Sequence, residues 1–462
     1  DPHMSTNVID LTVHFNIFDK LVKRGQDFKL QPGLATEWKR INDTTWQFKL
    51  RRGVKFHNGE PFNAETVKFS LGRTIPSGDP KVLTRTALNT VERIDVVDEY
   101  TVNIVTKFPD PLLPDRLTFH GGPIIPKRYF EQVGADQFNL KPIGTGPLKF
   151  LEWVKDDHVT LEANKDWWGG RIAFDKVTFR PIPEAAARVS ALLKGEVDII
   201  TRLPPDDVDR VNKSPTTTTV GVPLAGLYVL GTNYQRPFPL NNKYFHQALS
   251  LAIDRTAIVR NLWRGQGVVP NGVYPRGNWA FDPSLPPLEY NKAKAKALLQ
   301  QIGYKGEEVI FESTIGFFAN ERQMSEAIVE MWREVGINAK LEIIEYSVRA
   351  LKNRERTFKG VWFSDPVDTL LDPDGMVWRL QGPNAAQDYW RVPEWDKLMQ
   401  EARVSLDPAK RKAYYEAAHK IYLEHLPWIP IVQPNESYGI QRFLEWKPRA
   451  TQDFVIEDVK LK

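Results

Sequence analysis

The sequence contains no cysteine, which excludes structural disulfides, thiol nucleophiles and cysteine-based metal cages. It has no apolar run approaching the roughly 18 residues that a membrane-spanning helix requires. Charge of one sign is nowhere concentrated: 62 Lys and Arg are interspersed with 58 Asp and Glu, for a net charge of +4. A nucleic-acid face needs a concentrated basic stripe, so a nucleic-acid partner is not expected. No leader-type segment opens the sequence, and the expectation is a cytosolic protein or a mature or trimmed form of an exported one. Internal repeats and low-complexity tracts are also missing, apart from the short threonine run at 216–219.

The usual signatures of catalysis are missing as well. The histidines are His3, His14, His57, His120, His158, His246, His419 and His425, and none forms an HExxH or another i, i+4 pair. His57 reads as structural, and His419 and His425 as surface residues flanking a helix end. There is no GxSxG elbow. Gly265 and Gly267 are followed by Pro270 where a dinucleotide fingerprint needs its third glycine, and Gly144-Thr145-Gly146-Pro147 lacks the lysine of a phosphate loop. The acidic pairs Asp206-Asp207 and Glu307-Glu308 fall in loops and read as solvated faces rather than an acid/base couple. Neither a cofactor nor a resident metal is expected.

What the chain does have is length and regular alternation. At 462 residues it exceeds what one core supports, so two or three domains are expected. Helical periodicity covers 184–194, 290–302 and 321–335. In the last of these Met324, Ala327, Ile328, Met331, Trp332 and Val335 fall on one face. Gly336 stops that helix, and Ile337, Ala339, Leu341 and Ile343 alternate as a strand. Helix followed by strand through short links implies an α/β architecture. Segments 223–233 and 429–438 mix Gly or Pro with extended apolar sequence and read as two crossings between lobes, a pair of connecting strands able to act as a hinge.

Residues 34–73 carry the most information. Strands are expected around Trp38 and at 44–50, joined by an Asn42-Asp43 turn, then a compact loop at 52–62, then a helix capped by Asn63 with Val67 and Leu71 facing inward. This block resembles the signature of bacterial extracellular solute-binding proteins of the peptide, opine and nickel type. Further pieces match in order. Asp1-Pro2-His3 followed by 16–22 resembles the family's opening segment, with a cloning remnant as the rival reading of residues 1–4. The loop 142–147 resembles P-x-GTGPY, with Leu148 replacing the aromatic. Residues 164–169 resemble N-x-x-YW, and Asn233 with 245–255 resembles the N…QAL..AIDR segment.

The resemblance implies a two-lobe periplasmic-binding-protein fold of type II, with an extra inserted domain and lobes joined by two hinge strands. The implied boundaries are 1–33, 143–228 and 436–462 for a discontinuous lobe one, 34–142 for the inserted domain and 229–435 for lobe two. The implied function is the substrate-binding protein of an ABC importer, a monomer that closes around a peptide or similar amine-bearing solute and hands it to the permease subunits. It would be periplasmic, or extracellular and membrane-anchored. A non-peptide solute such as an opine, sugar derivative or nickel complex is the alternative. A sensory or chaperone-like receptor and a hydrolase are more distant ones.

The same resemblance implies site residues. In peptide-binding relatives a W-x-x-D stretch lines the cleft, which makes Trp362 a stacking wall, Asp365 the ammonium anchor and Phe363 a neighbour. Asp372-Pro373-Asp374 corresponds to a structural turn. Thr6, Asn7 and Val8 fall where peptide binders hold an extended ligand like an added strand, with His14 and Asn16 in the same segment and Asn233 at the lobe-two entry. Dipeptide-binding relatives carry an arginine for the ligand carboxylate in the loop before the helix at 321. Here that loop reads Thr314-Ile315-Gly316-Phe317-Phe318. It offers Phe317 and Phe318 as an apolar wall instead, and this departure leaves room for solutes other than dipeptides.

Overall fold

A computed structural model describes residues 1–5, 8–85, 87–315 and 317–462. The chain divides into two units. Unit 1 comprises Asp1–Arg188, Val404–Leu406 and Arg442–Lys462, and unit 2 comprises Val189–Arg403 and Asp407–Gln441. Among the described residues, no helix is long and apolar enough to cross a membrane.

The first α-helix of unit 1 is α1 (Val8–Ile17), which follows a short 3-10 turn at Pro2–Met4. The expected hairpin forms from β1 (Ala35–Asn42) and β2 (Thr45–Leu50), with the Asn42 side chain accepting from the Thr44 amide at 3.0 Å inside the turn. With β3 (Val91–Asp98) and β4 (Thr101–Thr106) it makes an antiparallel sheet in the order β1-β2-β4-β3. Helix α2 (Ala64–Gly72) starts at Asn63, whose side chain accepts from the Thr66 amide while the Thr66 hydroxyl accepts from the Asn63 amide. That reciprocal cap fixes the helix start. Val67 and Leu71 are then buried with Phe48, Val102 and Ile104 in one core. A second antiparallel sheet holds β5 (Leu148–Val154), β6 (His158–Ala163) and β7 (Lys176–Phe179).

Several signature pieces converge on one lock in unit 1. The His57 ring bridges the 144–146 loop: its Nδ1 accepts from the Gly144 amide at 3.3 Å, which leaves Nε2 to donate to the Gly146 carbonyl at 3.0 Å. Burial holds His57 neutral, its pKa lowered to about 4. Gly144 is required because a Cβ there would lie 2.0 Å from the Ile17 carbonyl oxygen. One Asp19 oxygen accepts from the Thr145 hydroxyl and both indoles of Trp167 and Trp168, at 3.1, 3.2 and 2.6 Å. Burial nevertheless raises that carboxyl to about 6.

Unit 2 is built on an eight-stranded sheet. Its strands are β8 (Ile199–Ile200), β9 (Thr217–Pro223), β10 (Tyr228–Thr232), β11 (Gly267–Val268), β12 (Val309–Ser313), β13 (Ala339–Ile343), β14 (Val361–Ser364) and β15 (Trp428–Gln441). The main path runs β8-β15-β10-β14-β12-β13, with β9 and β11 also pairing β15. Strand β12 is parallel to both β13 and β14, whereas β10 is antiparallel to β14 and β15. Of the two segments expected to cross between lobes, one contains β10 and the other lies within β15, and these strands pair with each other inside unit 2.

Helices α3 (Lys243–Leu251), α4 (Lys292–Gln301) and α5 (Glu321–Glu334) accompany this sheet. Met324, Ile328 and Trp332 of α5 are buried as the periodicity predicts, in a cluster with Phe311, Phe363 and Ile429. The Trp332 indole donates to the Leu249 carbonyl at 3.0 Å and ties α5 to α3. Two further helices are α6 (Tyr346–Glu355), which has no buried residue, and α7 (Pro408–His425). His419 lies inside α7 and is 6% exposed, which corrects its reading as a surface residue: its Nε2 accepts from the Val273 amide at 3.3 Å. His425 is half-buried at the helix end.

Candidate functional site

The residues expected to touch a solute separate into those consumed by packing and those left available. Asn16 is wholly buried and its amide is fully engaged. Nδ2 donates to the carbonyls of Thr12 and Phe454, and Oδ1 accepts from the Ile456 amide at 2.7 Å. Asn233 is similar, donating to the Phe358 carbonyl at 2.7 Å and accepting from the Gln235 amide at 3.0 Å. Both side chains are engaged in structural ties within the described residues. Val8 opens α1, so its backbone is helical and offers no extended edge for strand addition. Thr6 and Asn7 lie outside the described residues. His14 sits on α1, edge-on to Phe18 at 6.1 Å. Its buried Nδ1 has no hydrogen-bond partner among the described residues, and burial lowers its pKa to about 4.

Strand alternation sends Trp362 and Phe363 to opposite faces of β14. Trp362 is 2% exposed, stacked on Phe358 at 4.6 Å and packed against Tyr389 at 4.8 Å. Its indole occupies the space left by Gly231, where a Cβ would fall 2.2 Å from the ring. Trp362 is therefore covered by protein, whereas an open stacking wall is expected from the resemblance. Phe363 and Phe318 lie on the other face, in contact with each other at 4.9 Å, and Phe318 also meets Tyr228 at 4.3 Å. Both phenylalanines are buried.

Phe317 and Asp365 remain, and Arg349 contacts both. The loop that carries Phe317 is held by Glu321, the first residue of α5. Its carboxylate accepts from the Phe317 amide at 3.0 Å, from the Thr314 amide at 3.1 Å and from the Thr314 hydroxyl. Glu321 is buried, which raises its pKa. Phe317 stays partly exposed. Tyr346 stacks on it at 4.7 Å and 21°, and the Arg349 guanidinium lies 4.8 Å from its ring centre. Arg349 in turn pairs with Asp365 at 3.2 Å, just beyond the end of β14.

A second arginine closes the group. Arg202 follows β8 in the left-handed region at φ 53, an uncommon conformation for a residue with a Cβ. From there its Nη1 donates to the Phe317 carbonyl at 2.8 Å, and its guanidinium lies 5.7 Å from the Phe317 ring. Burial raises the Asp365 carboxyl, against the pull of Arg349 and Arg202. Arg202, Arg349 and Tyr346 escape sequence reasoning. Tyr346 and Arg349 are three apart on α6 and so share a face, but nothing in the sequence says that this face meets Phe317.

The neighbouring carboxylates are accounted for elsewhere in unit 2. Asp368 accepts from the Asn278 side chain and from the Leu370 and Asp372 amides. Asp372 is paired with Arg411 at 2.6 Å, and Asp374 with Arg403. The 368–374 stretch is therefore a structural turn, and Asp365 stands apart from it as the carboxylate beside the half-exposed aromatic loop.

Residues 29–388 match the family described as bacterial extracellular solute-binding proteins, family 5 Middle. Di/tripeptide-binding protein 1 of Pseudomonas aeruginosa is 28% identical over 436 residues, covering 87% of this chain and 80% of that protein. A dipeptide-binding protein from Pseudoalteromonas, solved in complex with Met-Leu, superimposes with a TM-score of 0.90 at 22% identity. The match covers 100% of this chain and 97% of that one. The binding protein AgaA of A. tumefaciens R10, solved with agropinic acid, has a TM-score of 0.87 at 25% identity over 100% and 96% of the two chains.

Proposed function

Because the chain belongs to the bacterial extracellular solute-binding proteins of family 5, we propose that it is the solute receptor of an ABC importer and that its solute is a short peptide or a similar amine-bearing molecule. Members of this family are solute-binding proteins rather than enzymes. On this reading the chain is non-catalytic and works as a monomer in the periplasm or at the cell surface, where it presents its solute to the permease subunits.

One observation carries the choice of solute. Asp365 is a partly desolvated carboxylate, 27% exposed, standing at the end of β14 beside the half-exposed Phe317. A carboxylate in that setting favours a cationic group over a neutral one, because a neutral solute replaces neither the water nor the Arg349 charge that it would displace from Asp365. Phe317 and Tyr346 supply an adjacent surface for an apolar side chain. The P. aeruginosa relative named for di- and tripeptides and the relative solved with Met-Leu support the same class.

Titration calorimetry with a mixed pool of dipeptides to tetrapeptides tests this. Wild-type protein binds the pool, and N-acetylation of the peptides abolishes binding. Asp365→Asn weakens it by roughly 30-fold, the equivalent of about 2 kcal/mol for removing one member of a desolvated charge pair. The pH dependence has a definite sign. Burial raises the Asp365 carboxyl in the free protein, and a bound ammonium favours its ionised form. Affinity is therefore full above that raised value and falls as pH drops through it, earlier than an ordinary carboxylate would allow. Absence of heat with any peptide, or unchanged binding by Asp365→Asn, refutes the reading.

A further inference from the structure

Helix α6 is attached in an unusual way. None of its residues is buried, and Ile343, Tyr346, Val348 and Leu351 around it are exposed. Instead of an apolar stripe, it docks through charge. Lys352 pairs with the buried Glu312 of β12 at 2.9 Å, and Arg349, one turn earlier, pairs with Asp365 at 3.2 Å. Glu312 is secured a second time by the Lys359 amide at 2.6 Å. The two attachments are therefore unequal. Lys352 grips a carboxylate that also fixes the Lys359 amide, whereas Arg349 occupies the carboxylate that the proposed function needs for an ammonium.

The Arg349 side chain is 16% exposed and that of Asp365 is 27% exposed. A solute that brings only an ammonium to Asp365 must displace a guanidinium that is already partly out of water. It then leaves that guanidinium unpaired beside Phe317, a ring that the Arg202 guanidinium also approaches at 5.7 Å while anchored to the Phe317 carbonyl. Leaving a desolvated charge without its partner is the costly step in any such exchange. A solute that also brings a carboxylate exchanges one internal pair for two new ones, and no charge is stranded. Guanidinium and carboxylate match in bidentate geometry, and the planar face of Arg349 remains on Phe317.

Resting on the proposed amine-binding role of Asp365, we propose that Arg349 is the residue that makes this receptor selective for zwitterions, solutes that carry a free carboxylate as well as an ammonium. Arg349 serves in the empty protein as an internal substitute for the solute's ammonium and in the loaded protein as the contact for its carboxylate. Arg202 holds the aromatic loop in place and adds positive potential at the same point. The carboxylate contact thus comes from α6 and not from the 314–318 loop.

The test is calorimetry with the same pool of dipeptides to tetrapeptides in two forms, free acid and C-terminal amide, against wild type, Arg349→Gln and Arg349→Lys. Wild type prefers the acid by roughly 30-fold, the discrimination expected for one partly desolvated charge pair. Arg349→Gln brings the two forms within about threefold by weakening the acid, while the requirement for a free amino group persists because Asp365 is intact. Arg349→Lys keeps the charge without the fork and falls between them. It also guards against a folding defect, as does thermal melting of each variant. Equal binding of acid and amide by wild type, or an unchanged ratio in Arg349→Gln, overturns the role of Arg349 and leaves the amine-binding reading intact. If wild type binds neither form, the amine-binding reading has failed and this inference falls with it.

Discussion

Arg411→Met isolates the buried charge network that supports the 368–374 turn. The Arg411 guanidinium is 8% exposed and holds Asp372, 4% exposed, in a two-pronged contact at 2.6 and 2.7 Å. Its Nε donates to the Ala402 carbonyl at 3.1 Å, and the Tyr415 hydroxyl donates to the same Asp372 oxygen at 3.0 Å. Methionine keeps most of the side-chain volume but strands the Asp372 carboxylate with only the Tyr415 hydroxyl and the Asp374 amide for company. Breaking one side of a buried pair costs about 3–5 kcal/mol, and the orphaned Ala402 carbonyl adds about 1. Urea unfolding followed by tryptophan fluorescence and far-UV circular dichroism should register a loss of about 4–6 kcal/mol. Adding Asp372→Asn should restore at least half of it by removing the stranded charge, and acidification should shrink the deficit for the same reason. Peptide affinity of the folded variant should stay within about threefold of wild type, since Asp365 is held independently by Arg349. A loss below about 1 kcal/mol, or no recovery in the double variant, would refute the claim that the network holds this turn.

Phe317 and Phe318 should respond differently to truncation although they are adjacent. Phe318→Ala empties a core position, 6% exposed, and should cost about 3–5 kcal/mol in urea unfolding. Phe317→Ala should leave stability within about 1 kcal/mol of wild type and weaken peptide binding by roughly tenfold in calorimetry, the value of one aromatic contact. The converse pattern would exchange their roles. His419→Gln tests acid stability. Burial lowers His419 from the ordinary 6.5 to about 4, so it stays neutral in the folded chain and charges on unfolding. Its contribution is complete above pH 6.5 and is lost as pH falls toward 4, by about 3 kcal/mol in all. Glutamine keeps an acceptor for the Val273 amide without the titration, so the variant's stability should fall less steeply over that range. Parallel acid limbs for variant and wild type would refute it.

Elements set by local chemistry are legible in the sequence. The hairpin of β1 and β2, the Asn63 cap and the buried face of α5 each follow from residues within a few positions of one another, and each forms where expected. Burial set by distant partners is harder to read. The spacing of Trp362 and Phe363 shows that they face opposite ways, but not that Phe358, Tyr389 and the gap at Gly231 enclose the indole. His419 misleads because α7 carries buried Arg411, Tyr415, Ala418 and Tyr422 beside it, a polar and aromatic face that does not resemble an apolar stripe.

The candidate site shows the same limit in its strongest form. A helix with no buried residue has no apolar rhythm to betray its docking face, so α6 is invisible to periodicity although it contributes both Tyr346 and Arg349. Its position depends on where the sheet places two carboxylates. Parallel pairing puts Glu312 of β12 beside Trp362 of β14, and Asp365 follows three residues after that tryptophan. Those carboxylates then select Lys352 and Arg349, one turn apart on α6, as partners. Few apolar contacts oppose a local rearrangement of such a helix, so the ion pairs govern whether it stays in place. A fold that required Arg349 only for support could have used an apolar contact there, with no guanidinium to dehydrate. Placing the guanidinium against a carboxylate at the edge of the partly exposed Phe317 loop makes the attachment exchangeable on the proposed reading, and exchange with a solute's own charges is what a receptor of this class needs.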